Sequence, residues 1–365
     1  MTFIKEIIRE LEYLAPLAYQ EGYDNAGLLV GSPHLPVTGV LVTLDVTEQV
    51  VEEAIERNCN LIVAHHPIVF KGLKKLNGNN YVERTVIKAI KNDIAIYATH
   101  TNLDHVPQGV NWQIAEMLGL INVRVLSPKP QVLTKLTFFS PVANTQEILV
   151  ALFAAGAGRI GQYENCSFRT KGTGSFMPNQ DANPVIGQKG AQEEVAEHRA
   201  EVMFPSYLQS KIISVLRQTH PYEEIAYYLT ALENENQEVG AGAVGDLEVE
   251  IPVNEFLTQL RSKMHLKIIK HTEPAETVKK VAVCGGAGSF LLKDAIRAGA
   301  DVFVTSDYKY HEFFDAEGQI MICDIGHYES EVFTKNLLYK YLSGKFSNFA
   351  LCLSEVNTNP VRYFV

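Results

Sequence analysis

Short apolar runs alternate with stretches whose apolar positions recur three and four residues apart, and this rhythm organises both ends of the chain. Residues 39–46 (GVLVTLDV) read as a buried strand, 48–57 as a helix, 61–64 as a strand and 81–91 as a helix. A strand at 94–99 and a helix at 110–118 continue the pattern. The rhythm returns late, with strands at 278–284, 301–305, 320–324 and 349–354 and helices at 290–298 and 328–342. Strands spaced by helices predict βαβ units on largely parallel sheets, so the two stretches read as halves of one α/β domain.

The middle of the chain has another order. Ser127-Pro128-Lys129-Pro130 breaks the pattern, after which strands are expected at 132–140, 163–169, 196–203 and 225–232, and helices at 145–155 and 207–217. That is β-α-β-β-α-β, the ferredoxin-like pattern. It exits through acidic residues 233–238 and a Gly240-Ala241-Gly242 stretch read as flexible. The expected organisation is therefore 1–128 and 237–365 as a split α/β host, with 129–236 as an inserted domain.

Composition narrows the function. At 365 residues, 46% hydrophobic and 20% charged, the chain is long enough for two or three domains. A net charge of −10 with no basic stripe speaks against nucleic-acid binding. Five scattered cysteines without a CxxC pair suggest neither a disulfide framework nor a zinc knuckle, and fit a reducing cytoplasm. Residues 1–12 carry Phe3, Ile4, Ile7, Ile8 and Leu11 at helical spacing, an amphipathic helix and not a signal peptide. No apolar run approaches the ~18 residues of a membrane span.

Three strand ends carry ligand-type side chains. His65-His66-Pro67 follows the 61–64 strand, and Pro67 favours an extended turn from which both rings can enter the crevice beyond the sheet edge. His100-Thr101-Asn102-Leu103-Asp104-His105 follows the next strand and offers Asp104. In the other half, His327 and Glu331 lie four apart at a predicted helix start and so share a face. Taken singly, each is as readily a cap, a turn former or a surface pair. Together, three histidines and two carboxylates form a mixed nitrogen–oxygen set suited to two divalent ions, zinc, iron, manganese or magnesium. One assignment they allow gives His66 and Asp104 to one metal and His65 and His327 to the other, with Glu331 bridging. Asp307, Lys309 and His311, just past the 301–305 strand, are candidates for acid, base or substrate contacts, His311 as a proton carrier. Cys284-Gly285-Gly286-Ala287-Gly288-Ser289 is either a phosphate-binding turn at a helix start or a tight connection.

Five ordered segments carry a family resemblance: residues 23–31 (YDNAGLLVG), 44–47 (LDVT), His65-His66-Pro67, 100–104 (HTNLD) and 326–331 (GHYESE). With them the chain resembles the NIF-three-like family, whose members are often named GTP cyclohydrolase 1 type 2 homologues. The resemblance implies a dinuclear metal site at His65, His66, Asp104, His327 and Glu331. It also implies a toroidal homohexamer whose metal sites face an interior cavity, and an insert similar to CutA and PII-like proteins. His220-Pro221-Tyr222-Glu223-Glu224 resembles the CutA signature and is expected at a trimer contact. The activity expected is metal-dependent hydrolysis of a nucleotide or related small molecule, with GTP ring opening its narrowest form. The alternatives are a non-catalytic metal-binding regulatory or chaperone-like assembly and, poorly matched to the negative charge, a transcriptional co-regulator.

Overall fold

In the computed structural model, which describes residues 1–273 and 276–364, the chain divides into two units, 1–127 with 238–365, and 128–237. The first begins with α1 (Ile4–Leu14), β1 (Gly27–Val30), β2 (Gly39–Thr43), α2 (Glu48–Glu56), β3 (Leu61–Ala64) and α3 (Tyr81–Lys91). There follow β4 (Ala95–Ala98), a single turn α4 (Thr101–Asp104), α5 (Val110–Leu118) and β5 (Ile121–Lys129). The second unit holds β6 (Leu133–Pro141), α6 (Thr145–Ala155), β7 (Phe168–Phe176), β8 (Glu193–Pro205), α7 (Gln209–Thr219) and β9 (Tyr227–Leu232). The chain then returns through β10 (Asn236–Pro252), α8 (Val253–Lys263), β11 (Lys270–His271), β12 (Thr277–Ala287), α9 (Leu292–Arg297) and β13 (Val302–Ser306). It closes with β14 (Met321–Asp324), α10 (His327–Glu331), α11 (Thr334–Lys345) and β15 (Ala350–Leu353).

The result is a mixed α/β fold of three sheets. The first, ordered β1-β4-β3-β2-β15, is parallel except for β1. Its strands β2, β3 and β4 are buried along their whole length, which is why they read as unbroken apolar runs. The second, β11-β14-β13-β12-β10-β5, has a parallel centre, β12 to β14, flanked by antiparallel β10 and β11. Parallel strands leave a sheet at one edge, so residues just past β2, β3 and β4 gather there. Those following β13 and β14 do the same in the second sheet. The third sheet, β7-β8-β6-β9, is wholly antiparallel, and with α6 and α7 it has the ferredoxin-like order. No helix among the described residues is long and apolar enough to cross a membrane.

Several local expectations are corrected. Ser127 and Pro128 still lie in β5, an edge strand, where a proline is tolerated, and the break falls after Lys129. The Gly240-Ala241-Gly242 stretch is part of β10, whose ladder with β12 runs on from Ala243. The strand placed at 163–169 lies at Phe168–Phe176; it is an exposed edge strand and carries almost no apolar alternation. The long helix at 328–342 is two, broken between α10 and α11.

Candidate metal centre

His65 and His66 leave β3 on a turn in which both backbone N–H groups donate to the Leu44 carbonyl, at 3.2 and 3.0 Å. This curl holds successive side chains apart, and each ring is then caught by a different neighbour. The His65 Nδ1–H donates to the Thr99 carbonyl just past β4, 2.8 Å away. His66 Nδ1 lies 2.6 Å from Asp45 Oδ1 just past β2, and Thr358 donates to the other Asp45 oxygen. On the second sheet, His327 Nδ1 lies 2.8 Å from Asp307 Oδ2, with Asp307 in the left-handed region at φ 62°. In all three rings Nδ1 is committed to an acceptor, which turns the Nε2 lone pair inward.

Glu331, 3% exposed, stands at the convergence of these rings. Its Oε2 is 2.9 Å from His66 Nε2 and 3.0 Å from His327 Nε2, and those two nitrogens are 3.3 Å apart. Its Oε1 is 3.7 Å from His65 Nε2, which is itself 3.7 Å from Asp104 Oδ1. The distances therefore set His65 with Asp104 and His66 with His327, and not the assignment of His66 to Asp104 and His65 to His327. The cause is the neighbour that takes each Nδ1: β4 draws the His65 ring towards Asp104, whereas β2 draws His66 away from it.

Asp104 ends the α4 turn, which the Asn102 side chain ties down by accepting from the His100 N–H and donating to the Ala15 carbonyl. The Asn111 amide holds the Asp104 carbonyl. Beside it, His100 Nδ1 is 2.7 Å from Asp24, and the His100 ring lies 5.4 Å from that of His65. Burial opposes ionisation of Asp24, but hydrogen bonds from His100 and Thr101 prevail and hold it at about 2.

The electrostatics are those of a carboxylate-rich pocket. Burial and the Glu331 charge push Asp104 up to about 8. Burial alone would lower both His66 and His327. Hydrogen bonds to Asp45 and Glu331 raise the first to about 9, and those to Asp307 and Glu331 raise the second to about 11. Burial works against Glu331 too, yet hydrogen bonds from His327 and His66 keep it well below the usual carboxylate range. No lysine or arginine forms an ion pair with Glu331, Asp104 or Asp45 among the described residues.

These residues fit a divalent cation. His65 Nε2 and Asp104 Oδ1 are buried with no hydrogen-bond partner among the described residues, a costly state that a cation would relieve. Two ligands each about 2.0–2.2 Å from one ion stand roughly 3.3–4 Å apart, which matches the 3.7 Å separations. The ligand atoms of His65, His66 and Glu331 all lie within 4.8 Å of one another. The cluster opens from fully buried His65 towards half-exposed His327 and a cavity of about 480 Å³ lined by Asp45, His66, Asp307, His327, Lys270 and Tyr328.

Of the other candidates, Asp307 supports His327. His311 lies on an exposed helical turn, its ring against Tyr310 and Phe314, and is not brought to the cluster. In the Cys284–Ser289 turn the Gly285 N–H donates to Asn111 and the Gly286 N–H to Ser330, so these two amides are turned to the protein and not to a ligand. Sequence reasoning missed Asp45 and Asp24 as supports, although both lie in the segments that carried the family resemblance. Replacing Asp45 or Asp307 by asparagine is expected to weaken metal affinity about 10–100-fold with the fold intact. Competition titration against a chromogenic chelator checks this, and unchanged affinity in both would remove them from the support of the rings.

The model of the family described as Duf34/NIF3 (NGG1p interacting factor 3) matches residues 2–360. The chain is 38% identical to a Bacillus subtilis protein and 39% identical to one from Halalkalibacterium halodurans, with 98% of each chain covered. Both are named GTP cyclohydrolase 1 type 2 homolog. Its structure is similar to that of a Bacillus cereus protein related to NIF3, with a TM-score of 0.87 at 37% identity over 100% of this chain and 99% of that one.

Proposed function

Since the chain belongs to the Duf34/NIF3 family, we propose that its histidine–carboxylate cluster holds two divalent cations and that the protein is a metal-dependent hydrolase of a nucleotide or related small molecule. The carrying observation is Glu331, whose two oxygens face separate histidine sets: Oε1 with His65 and Asp104, Oε2 with His66 and His327. Zinc, iron, manganese and magnesium all suit this donor set. When bound, such ions act as Lewis acids on a substrate and acidify water towards neutrality.

The chain's own groups orient and exclude. Asp45, Asp307 and the Thr99 carbonyl fix the tautomers of His66, His327 and His65, so that Nε2 faces inward in each. Buried His65 closes one end of the cluster to water, and substrate approaches from the His327 side, where the cavity opens. Lys270 reaches that cavity with its ammonium 2.8 Å from Asp324. GTP ring opening, taken from the relatives' name, is the narrowest form of the proposal. A homohexamer, a CutA/PII-like insert and a cytoplasmic location belong to the same reading.

Incubating metal-loaded protein with a panel of nucleotides and phosphoesters, read by mass spectrometry, tests it. Turnover of at least one nucleotide is expected, abolished by chelation and restored by metal. Two bound ions without turnover of any compound would favour the non-catalytic metal-binding assembly instead.

A further inference from the structure

The inserted unit holds a second cavity, of about 600 Å³, on the face of its sheet away from the helices. Ala200, Val202 and Phe204 of β8 pack with Leu149 and Ile212 of the helices. Strand alternation therefore sends Glu197 and Arg199 to the opposite face. There they meet Phe139 of β6, Phe176 of β7 and Tyr222 of the His220–Glu224 segment, under a roof formed by the loop after β7.

We propose that this cavity is a binding site for an organic cation, held by the aromatic faces of Phe139, Phe176 and Tyr222 and by the buried carboxylate of Glu197.

Glu197 is 7% exposed and forms no ion pair among the described residues. A buried carboxylate without a cation is costly, and a cationic ligand would relieve that cost. The carboxylate lies directly over Gly174 of β7, where an added Cβ would come within 2.1 Å of Glu197 Oε2, so the glycine leaves the room it occupies. Beside it lies the buried Tyr222 hydroxyl. Burial and the neighbouring Glu197 charge push that phenol up. The Tyr222 ring is 6.0 Å from Phe176 at 62°, an edge-on pair, and both residues line the cavity. Aromatic faces attract cations, and most strongly where water is excluded.

Other ligand classes fit less well. A zinc- or copper-type ion would look for nitrogen ligands beside Glu197, and His220 has none to spare. Its Nε2–H donates to the Phe139 carbonyl at 2.8 Å, and its Nδ1 accepts from the Tyr222 N–H at 3.1 Å. Burial lowers the His220 pKa and keeps it in that neutral form. An anion would meet three carboxylates, Glu197, Glu223 and Glu224, against Lys171 and Arg199, and Arg199 is already committed to Glu201 at 2.7 Å. Tyr222, Glu223 and Glu224 of the His220–Glu224 motif thus line this cavity.

The test is calorimetric titration of the full-length chain with choline and with its neutral carbon analogue, 3,3-dimethylbutanol. Choline is expected to bind at least about tenfold tighter than the alcohol. Glu197→Gln is expected to abolish that preference, and Phe176→Leu to reduce choline affinity several-fold, with melting temperatures confirming that both variants fold. Equal affinity for the two compounds, no binding of choline, or an unchanged preference in Glu197→Gln would each overturn the assignment. Should Glu197→Gln fail to fold, the wild-type comparison and Phe176→Leu still decide. Sedimentation velocity of the wild type covers the other occupant: if a second copy seals the cavity, choline binds only after dissociation, and the cavity is an interface.

Discussion

On the proposed two-ion reading, replacing Glu331 by alanine is expected to empty the centre, taking metal content to below about a tenth of the wild-type value and any hydrolytic turnover down by at least a hundredfold. Supporting residues behind a ligand are typically worth 10–100-fold, and Glu331 is no support but the group on which both histidine sets converge. Its removal leaves His66 and His327 with their nitrogens 3.3 Å apart and no shared anion between them. It also removes the charge that, with burial, pushes Asp104 up to about 8. Glu331→Gln should fail almost as badly, because an amide replaces one acceptor oxygen with a donor nitrogen. Elemental analysis after gel filtration in metal-free buffer checks both variants, with circular dichroism to confirm the fold. Two ions per protomer in the alanine variant would strike Glu331 from the ligand set.

The second large effect is expected at a position with no ligand chemistry. Gly286 is the penultimate residue of β12, at φ 64°, and a Cβ there would stand 2.4 Å from Glu331 Oε1. Its N–H is bound to Ser330 and its carbonyl accepts from Ser306, so the backbone cannot withdraw cheaply. Gly286→Val therefore combines a left-handed conformation, costing a β-branched residue about 1–3 kcal/mol, with a collision against the central carboxylate. The expected outcome is loss of bound metal together with a lower melting temperature, about 2–4 °C for each kcal/mol in a unit of this size. Destabilisation with both ions retained would show that Glu331 can move aside, and that the cradle is not needed for binding.

Glu331 and Gly286 differ in how far the chain alone reveals their roles. Glu331 was readable from the chain because ligand side chains are few in kind, and because parallel strands deliver their C-terminal ends to one edge. His65-His66, Asp104 and His327 were readable for the same reason. Gly286 was not. Its sequence neighbourhood suits a phosphate turn equally well, and only the commitment of its amides to Asn111 and Ser330 separates the roles. Edge strands were also poorly legible: β7 is exposed along its length, and β5 runs through a proline that elsewhere ends a strand.

What the residue order determined by itself was a repeated α/β rhythm around a β-α-β-β-α-β segment, and the residue types able to bind metal at three strand ends. Those follow from local periodicity and donor chemistry, which need no knowledge of neighbours. Tertiary structure alone decided which histidine stands with which acid, since that depends on Asp45, Thr99 and Asp307 taking the Nδ1 atoms. Asp45 and Thr99 are 21 and 34 residues from their rings, and Asp307 is 20 from His327. It likewise decided that Glu197, one acid among many along the chain, is buried without a cation in an aromatic cavity. Orientation and desolvation come from contacts distant in sequence, and no local pattern encodes them.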